Sequence, residues 1–299
     1  MIAWKTPTLE DGPAVRALVG QQQAKVSDCS FANIYLLRNK YQTEIAFYDG
    51  FLLRCYHGNG SRCGYTFPLG KGDPAPILEA LAEDAALRGE SLRFILLTEE
   101  QKAALKHAMP HRFSYSTNPG DSDYLYTAAA LADLPGKILN KKRNRVTHFN
   151  RLYPDNRYEP LREKNCPDAL AVARRWVEES AADDRSITLE YEAIREALDH
   201  WQALELFGGV LYVNDTPVAM TVASAVSGDT VDVHFEKAVG EFAANGAYAA
   251  VNRCFAQSAA ARVEWINREE DINIEGLRRA KLSYRPAALL TKYSAQLKG

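Results

Sequence analysis

The chain has 299 residues, 46% of them hydrophobic and 25% charged, with a net charge of -2 at pH 7. At roughly 150 residues per domain, that gives room for about two domains, each able to bury a core. The near-neutral balance excludes a protein whose whole surface is built to bind nucleic acid or anionic lipid, although local patches can still do so.

The first residues, MIAWKTPTLEDGPAV, have neither the charged start nor the apolar centre of a signal peptide, and no apolar run reaches the ~18 residues of a membrane span. The expectation is a cytoplasmic protein without an integral membrane segment. A short strand is expected near Ile2–Lys5. A helix then opens at Thr8, whose spacing to Asp11 is close to that of a capping box. SDCSFANIYLLRNKY gathers Phe31, Ile34 and Tyr35 on one helical side, and EIAFYDGFLLRCY predicts a hairpin turning at Asp49-Gly50. Strand CGYTFPLG, helix APILEALAEDAALRG with its terminal Gly89, strand LRFILLT, helix TEEQKAALKHAM and strand SYSTNPGDSDYLY complete the first half.

The second half repeats this order of elements. Strand and helix YEPLREKNCPDALAVARRWVEES, helix YEAIREALDHWQAL and a hairpin at Asn214-Asp215 are followed by strand TVDVHFEKA, helix GAYAAVNRCFAQSAA, strand VEWINREED, helix EGLRRAKL and a closing strand. The expected class is α/β with mixed sheets, arranged as two like-folded domains, 1–134 and 158–299, joined by a linker at 135–157. Lys137, Lys141, Lys142, Arg143, Arg145 and Arg151 crowd that linker without an acid among residues 137–151. A helix carrying Lys141, Lys142 and Arg143 on a polar face would suit a phosphate-bearing donor, or would simply be solvated.

Charged residues collect at two strand ends of the second half. Strict alternation along TVDVHFEKA puts Asp232, His234 and Glu236 on one face, where Glu236 or His234 can act as general base. The alternative for Glu236 is a salt bridge, to Lys237 or to an arginine of the last helix. At the end of the next strand, Asn267 and Glu269 should face one way and Arg268 and Glu270 the other, offering a carboxylate for a substrate ammonium and donors for a carbonyl or phosphate. Asp271 or Asn273 is placed to cap the following helix, where Arg278 and Lys281 share a face. Tyr284 either donates a proton to a leaving group or packs.

The five cysteines are scattered without a CxxC, so neither a disulfide framework nor a zinc ribbon is indicated. Pro110 interrupts the pair His107 and His111, and no metal site is expected there. Hydrolase, nucleotide-loop and zincin motifs are missing from the sequence.

The strings SDCSFANIYLLRNKY, LPGKILNKKRN, VHFEKA, INREED and EGLRRAKLSYRP resemble bacterial proteins of unknown function grouped with the C-terminal catalytic domain of phosphatidylglycerol lysyltransferase. That resemblance covers nearly the whole chain. It implies a duplicated GNAT acyltransferase fold, hence two tandem GNAT-like domains, and acyl or aminoacyl transfer to an amine or hydroxyl, with Glu236, Glu269, His234 and Tyr284 as catalytic candidates. A non-catalytic module of the same fold, binding a phosphate-bearing ligand or RNA, is the alternative. No tightly bound cofactor is implied; the donor is a phosphate-bearing substrate, acyl-CoA or aminoacyl-tRNA, and in the second case tRNA is a partner. The acyl-CoA loop of ordinary GNAT enzymes, Arg/Gln-x-x-Gly-x-Gly/Ala, is not matched by VGEFAANGA, where only Gly246 and Ala247 can offer backbone amides and Glu241 would oppose a pyrophosphate. Lys237, Asn267, Arg268, Arg278 and Lys281 are the remaining candidates for holding donor or substrate.

Overall fold

A computed structural model describes residues 2–180 and 185–298. The first half holds α1 (Gly12–Val19), α2 (Phe31–Leu36), α3 (Arg38–Tyr41), β1 (Glu44–Tyr48), β2 (Phe51–His57), β3 (Cys63–Tyr65), β4 (Leu69–Gly70), α4 (Ala75–Leu87), β5 (Arg93–Leu97), α5 (Glu99–Ala108) and β6 (Phe113–Thr117). Then come β7 (Asp123–Thr127), α6 (Ala128–Asp133) and the basic helix α7 (Asn140–Leu152). The second half holds β8 (Arg157–Pro160), α8 (Cys166–Glu179), α9 (Arg185–Asp199), β9 (Phe207–Val213), β10 (Thr216–Ala225) and β11 (Thr230–Ala238). It ends with α10 (Gly240–Ala244), α11 (Ala247–Ala259), β12 (Trp265–Asn267), α12 (Glu275–Leu282), β13 (Ala288–Leu290) and β14 (Tyr293–Leu297). Among the described residues no helix is long and apolar enough to cross a membrane.

Local chemistry accounts for most of these elements. Thr8 and Asp11 form the capping box, and Asp49-Gly50 and Asn214-Asp215 all have positive φ, the signature of type I′ hairpins. The first strand does not form; only Lys5 bridges to Ile45. SYSTNPGDSDYLY is not one strand either. Pro119 lacks a donor for a ladder, and a short 3₁₀ turn at Pro119–Asp121 separates β6 from β7.

That break sends the chain into the other half. One sheet runs β1-β2-β3-β5-β14-β6, with β4 on β2, and the other runs β13-β7-β12-β11-β10-β9-β8. β7 thus lies antiparallel to β12 and β13, while β14, from the far end of the chain, lies antiparallel to β5 and β6. Each half closes its sheet with a strand that the sequence assigns to the other, so the expected boundaries at 134 and 158 are crossed in both directions.

The crossing seam carries buried charge. Lys292, just before β14, has a side chain only 1% exposed; its Nζ meets Asp28, sits 2.7 Å from Asp123 and is 3.7 Å from Glu270. Arg62 pairs with the same Glu270 and lies 3.9 Å from Asp28. Burial alone would push the Glu270 carboxyl up, but Lys292 and Arg62 outweigh it and hold the group well below the usual carboxylate range. One apolar cluster spans both halves, from Val15 and Ile34 to Val172 and Phe235.

Candidate active site

β11 and β12 run parallel over only three residue pairs, Thr230 to Asp232 against Trp265 to Asn267, and then part. β11 continues to Ala238, whereas the other chain turns away through Glu269, which adopts a left-handed φ of 54°. The charged residues singled out in the sequence line the two sides of this gap.

A bulge decides which side each one takes. Val222 of β10 faces Phe235 and Ala223 faces Val233, so His234 is an extra residue. Val231 and Val233 pack with Phe255 and Ala256 of α11, but Phe235 packs with Val172 of α8 and Ile194 of α9. Glu236 accordingly returns to the α11 face, where Asn252 meets it. The expected common face of Asp232, His234 and Glu236 is therefore corrected: the first two look towards α2 and β10, and Glu236 looks the other way.

On the α11 face, Glu236 is held on both oxygens. Arg268 Nη2 donates to Oε1 at 2.8 Å and Asn252 Nδ2 to Oε2 at 3.0 Å. This is the salt-bridge alternative, with Arg268 as partner in place of Lys237 or an arginine of the last helix. Lys237 points to the opposite face, bonding Glu190 at 2.6 Å over the Trp176 ring. Arg268 is nearly buried against Tyr284, and among the described residues its Nη1 has no hydrogen-bond partner. Tyr284 is buried, and desolvation pushes its hydroxyl up to about 12, which makes it a poor acid near neutrality.

Lys142 reaches the same place from α7. Its Nζ lies 3.9 Å from the Tyr284 ring centroid, and burial, then Arg268 and Arg145, bring its pKa down to about 8. The three linker bases separate: Lys141 is exposed, Lys142 points inward, and Arg143 donates to the carbonyls of Leu134 and Gly136. They do not form the single phosphate-facing patch expected from their order. Nor is α11 an open cradle. Gly246 and Ala247 are buried, and a Cβ on Gly246, whose φ is 112°, would stand 2.8 Å from the Arg145 carbonyl of α7.

On the other face, His234 Nδ1 lies 3.3 Å from both Asp232 and Glu269, and its Nε2 lies 2.8 Å from Ser224 Oγ. Asn267 donates to Asp123 and to the Lys25 carbonyl. Arg268 faces away from Asn267 and Glu269 as expected, but Glu270 does not follow it. The left-handed turn at Glu269 swings Glu270 into the Lys292 seam. Neither Asp271 nor Asn273 caps α12, whose N-cap is Ile274; the Asp271 carboxylate accepts from the Asn273 N–H at 2.8 Å and is gripped by Arg278 at 2.8 Å and by Tyr124. Lys281 is buried and donates to the carbonyls of Arg268, Glu269 and Glu270, fixing this turn instead of facing a phosphate. Asn252, Asp123 and Lys292 were not legible as participants, being ordinary residues of a helix, a strand and a loop until the chain folds. A surface cavity lined by Cys166, His200 and Trp201 lies between α8 and α9 and holds none of these side chains.

The Lys142 amine gives a pH test. In the unfolded chain it titrates near 10.5, so between about 8 and 10.5 the folded state binds fewer protons and stability rises with pH. The cost of holding the charged amine is fully present below about pH 8. Urea midpoints compared at about pH 7.5 and about pH 10 should shift less in favour of high pH in Lys142→Met than in the parent. Identical shifts in the two proteins would show that this amine is not perturbed.

A family model described as "Phosphatidylglycerol lysyltransferase, C-terminal" matches residues 20–296. A conserved protein of unknown function from Bacteroides thetaiotaomicron is 35% identical and superposes with a TM-score of 0.93 over 100% of both chains. L-PGS from Bacillus licheniformis is 11% identical, with a TM-score of 0.66 over 97% of this chain and 92% of that one. A tandem GNAT protein from the clavulanic acid biosynthesis pathway is 8% identical, with a TM-score of 0.51 over 100% of this chain and 99% of that one. The last two are likenesses of fold, and they agree with two GNAT-like units of mixed α/β type. No curated protein matches the sequence.

Proposed function

The chain belongs to the phosphatidylglycerol lysyltransferase C-terminal family, and on that premise we propose that it transfers an acyl or aminoacyl group to an amine or hydroxyl acceptor where β11 and β12 part. The observation that carries this reading is Arg268: a nearly buried guanidinium, braced by Glu236, with Nη1 unpartnered among the described residues and a Lys142 amine of lowered pKa nearby. Acyl transfer develops negative charge on the carbonyl oxygen, and a fixed donor in a water-poor site stabilises that charge. The attacking group must also lose a proton, and an amine titrating near 8 is suited to accept it close to neutral pH. Glu236, with both oxygens bonded, positions Arg268 and is not itself the base.

For the donor, we favour aminoacyl-tRNA over acyl-CoA. The start of α11, where a pyrophosphate would lie, is covered by the Arg145 carbonyl, and Glu241 stands on the preceding turn. The family description names a lysyl donor and a phosphatidylglycerol acceptor, and both are the first substrates to try. A binding-only module resting on Lys141, Lys142 and Arg143 loses support, because those charges point in three directions.

The test is a transfer assay with the full chain, using labelled aminoacyl-tRNA or labelled acetyl-CoA and a panel of amines, hydroxyl compounds and phosphatidylglycerol vesicles. Label moving from tRNA to an acceptor is the expected result. Release no faster than in buffer, for both donors, would overturn the assignment.

A further inference from the structure

On the face of β11 opposite Glu236, Asp232, His234 and Glu269 each present a ligand atom, and these atoms lie within 4.8 Å of one another. From this geometry we propose a site for a divalent transition-metal ion, of the zinc or manganese type, held by Asp232, His234 Nδ1 and Glu269. It is separate from the transfer reading above and does not depend on it.

The spacing fits a common ion. Ligands about 2.0–2.2 Å from one metal stand roughly 3.0–3.5 Å apart in tetrahedral or octahedral geometry. His234 Nδ1 lies 3.3 Å from the Asp232 oxygen and 3.3 Å from the Glu269 oxygen.

Asp232 supplies the independent observation. It is fully buried, and among the described residues neither carboxylate oxygen has a hydrogen-bond donor. A buried carboxylate with no donor is costly unless a cation meets it. The neighbouring cations are already engaged: Lys292 and Arg62 face Asp28, Asp123 and Glu270. Two carboxylates and one neutral imidazole are balanced in charge by one divalent ion.

The surroundings resemble the outer shell of such sites. His234 Nε2 sits 2.8 Å from Ser224 Oγ, which can accept a hydrogen bond from the Nε2–H and so leave Nδ1 as the ligand. Asn33 Nδ2 donates to Glu269 Oε1 at 3.1 Å and so orients that carboxylate. The imidazole favours zinc over calcium and magnesium, which prefer oxygen ligands throughout, and the two carboxylates also suit manganese. Three protein ligands leave a coordination position for water or a ligand oxygen, and Glu269, 23% exposed, gives access from solvent.

The experiment uses the full chain, freed of metal with a chelator and titrated calorimetrically with zinc and with manganese, with cobalt absorption as a second readout. One ion per chain is expected. Glu269→Gln and His234→Gln should each weaken binding by about 100-fold, and Ser224→Ala by about 10-fold, the range typical of outer-shell partners. Cys63→Ser, at an exposed thiol, should leave binding unchanged. If His234→Gln does not fold, the partly exposed Glu269→Gln and Ser224→Ala still decide the matter. The proposal is overturned by an absence of saturable binding, or by affinity that survives both of those substitutions.

Discussion

Ending the chain at Leu290 is expected to unfold both halves of the molecule. β14 is an interior strand of the first sheet, bonded on one side to β5 and on the other to β6, and Ala295 is fully buried in the core with Phe94 and Phe113. Its loss leaves β6 without a partner, bares one edge of β5 and opens that core. The damage reaches the second half through Lys292, which is lost with it. Lys292→Met alone leaves Asp28, Asp123 and Glu270 buried with Arg62, near Asp28 and Glu270, as the one remaining ion-pair partner among the described residues, a change expected to cost about 3–5 kcal/mol. Against a typical total of ~5–15 kcal/mol, that would lower the Tm by on the order of 10 °C. Adding Asp28→Asn and Asp123→Asn should recover part of the loss, because the uncompensated charges then disappear. Thermal melts followed by circular dichroism check all three proteins. A truncated chain that melts cooperatively near the parent temperature would mean that β14 is dispensable.

The second large effect is on transfer. Replacing Arg268 by methionine is expected to slow the chemical step by about 10²–10³-fold, the usual loss when a fixed donor to a developing oxyanion is removed. Taken alone, the substitution strands the nearly buried Glu236, so the informative protein is Arg268→Met with Glu236→Gln, in which neither partner is left as an unpaired charge. That double variant should keep its fold and lose kcat with little change in KM. Glu236→Gln by itself retains an amide oxygen for Arg268 and should fall far less, as suits a positioning residue. If the double variant transfers as fast as the parent, Arg268 has no part in the chemistry.

Much of the local structure could be read in the sequence. The capping box at Thr8, the hairpins at Asp49-Gly50 and Asn214-Asp215 and the amphipathic helices depend on residues a few positions apart, whose backbone preferences act wherever the chain goes. The concentration of charge at the ends of β11 and β12 was legible for the same reason. The pairing of those charges was not. One inserted residue, His234, turns Glu236 to the opposite face, and no periodicity reveals a bulge, because it exists only as a mismatch with β10. Arg268 was legible as a candidate, whereas its brace by Glu236, itself held by Asn252, required α11 to be laid against β11.

The sequence by itself determined most of the elements, the repeated order of the halves and the presence of a charged centre in the second of them. Only the tertiary structure decided the exchange of β7 and β14, the splitting of the charges between two faces, and the burial of Lys292 among Asp28, Asp123 and Glu270. The strand exchange and the meeting of Lys292 with Asp28 and Asp123 join residues more than a hundred positions apart, and the split of the charges depends on a mismatch between two paired strands. Short-range preferences carry no information about such pairs; burial and charge neutralisation select them once the sheets have closed.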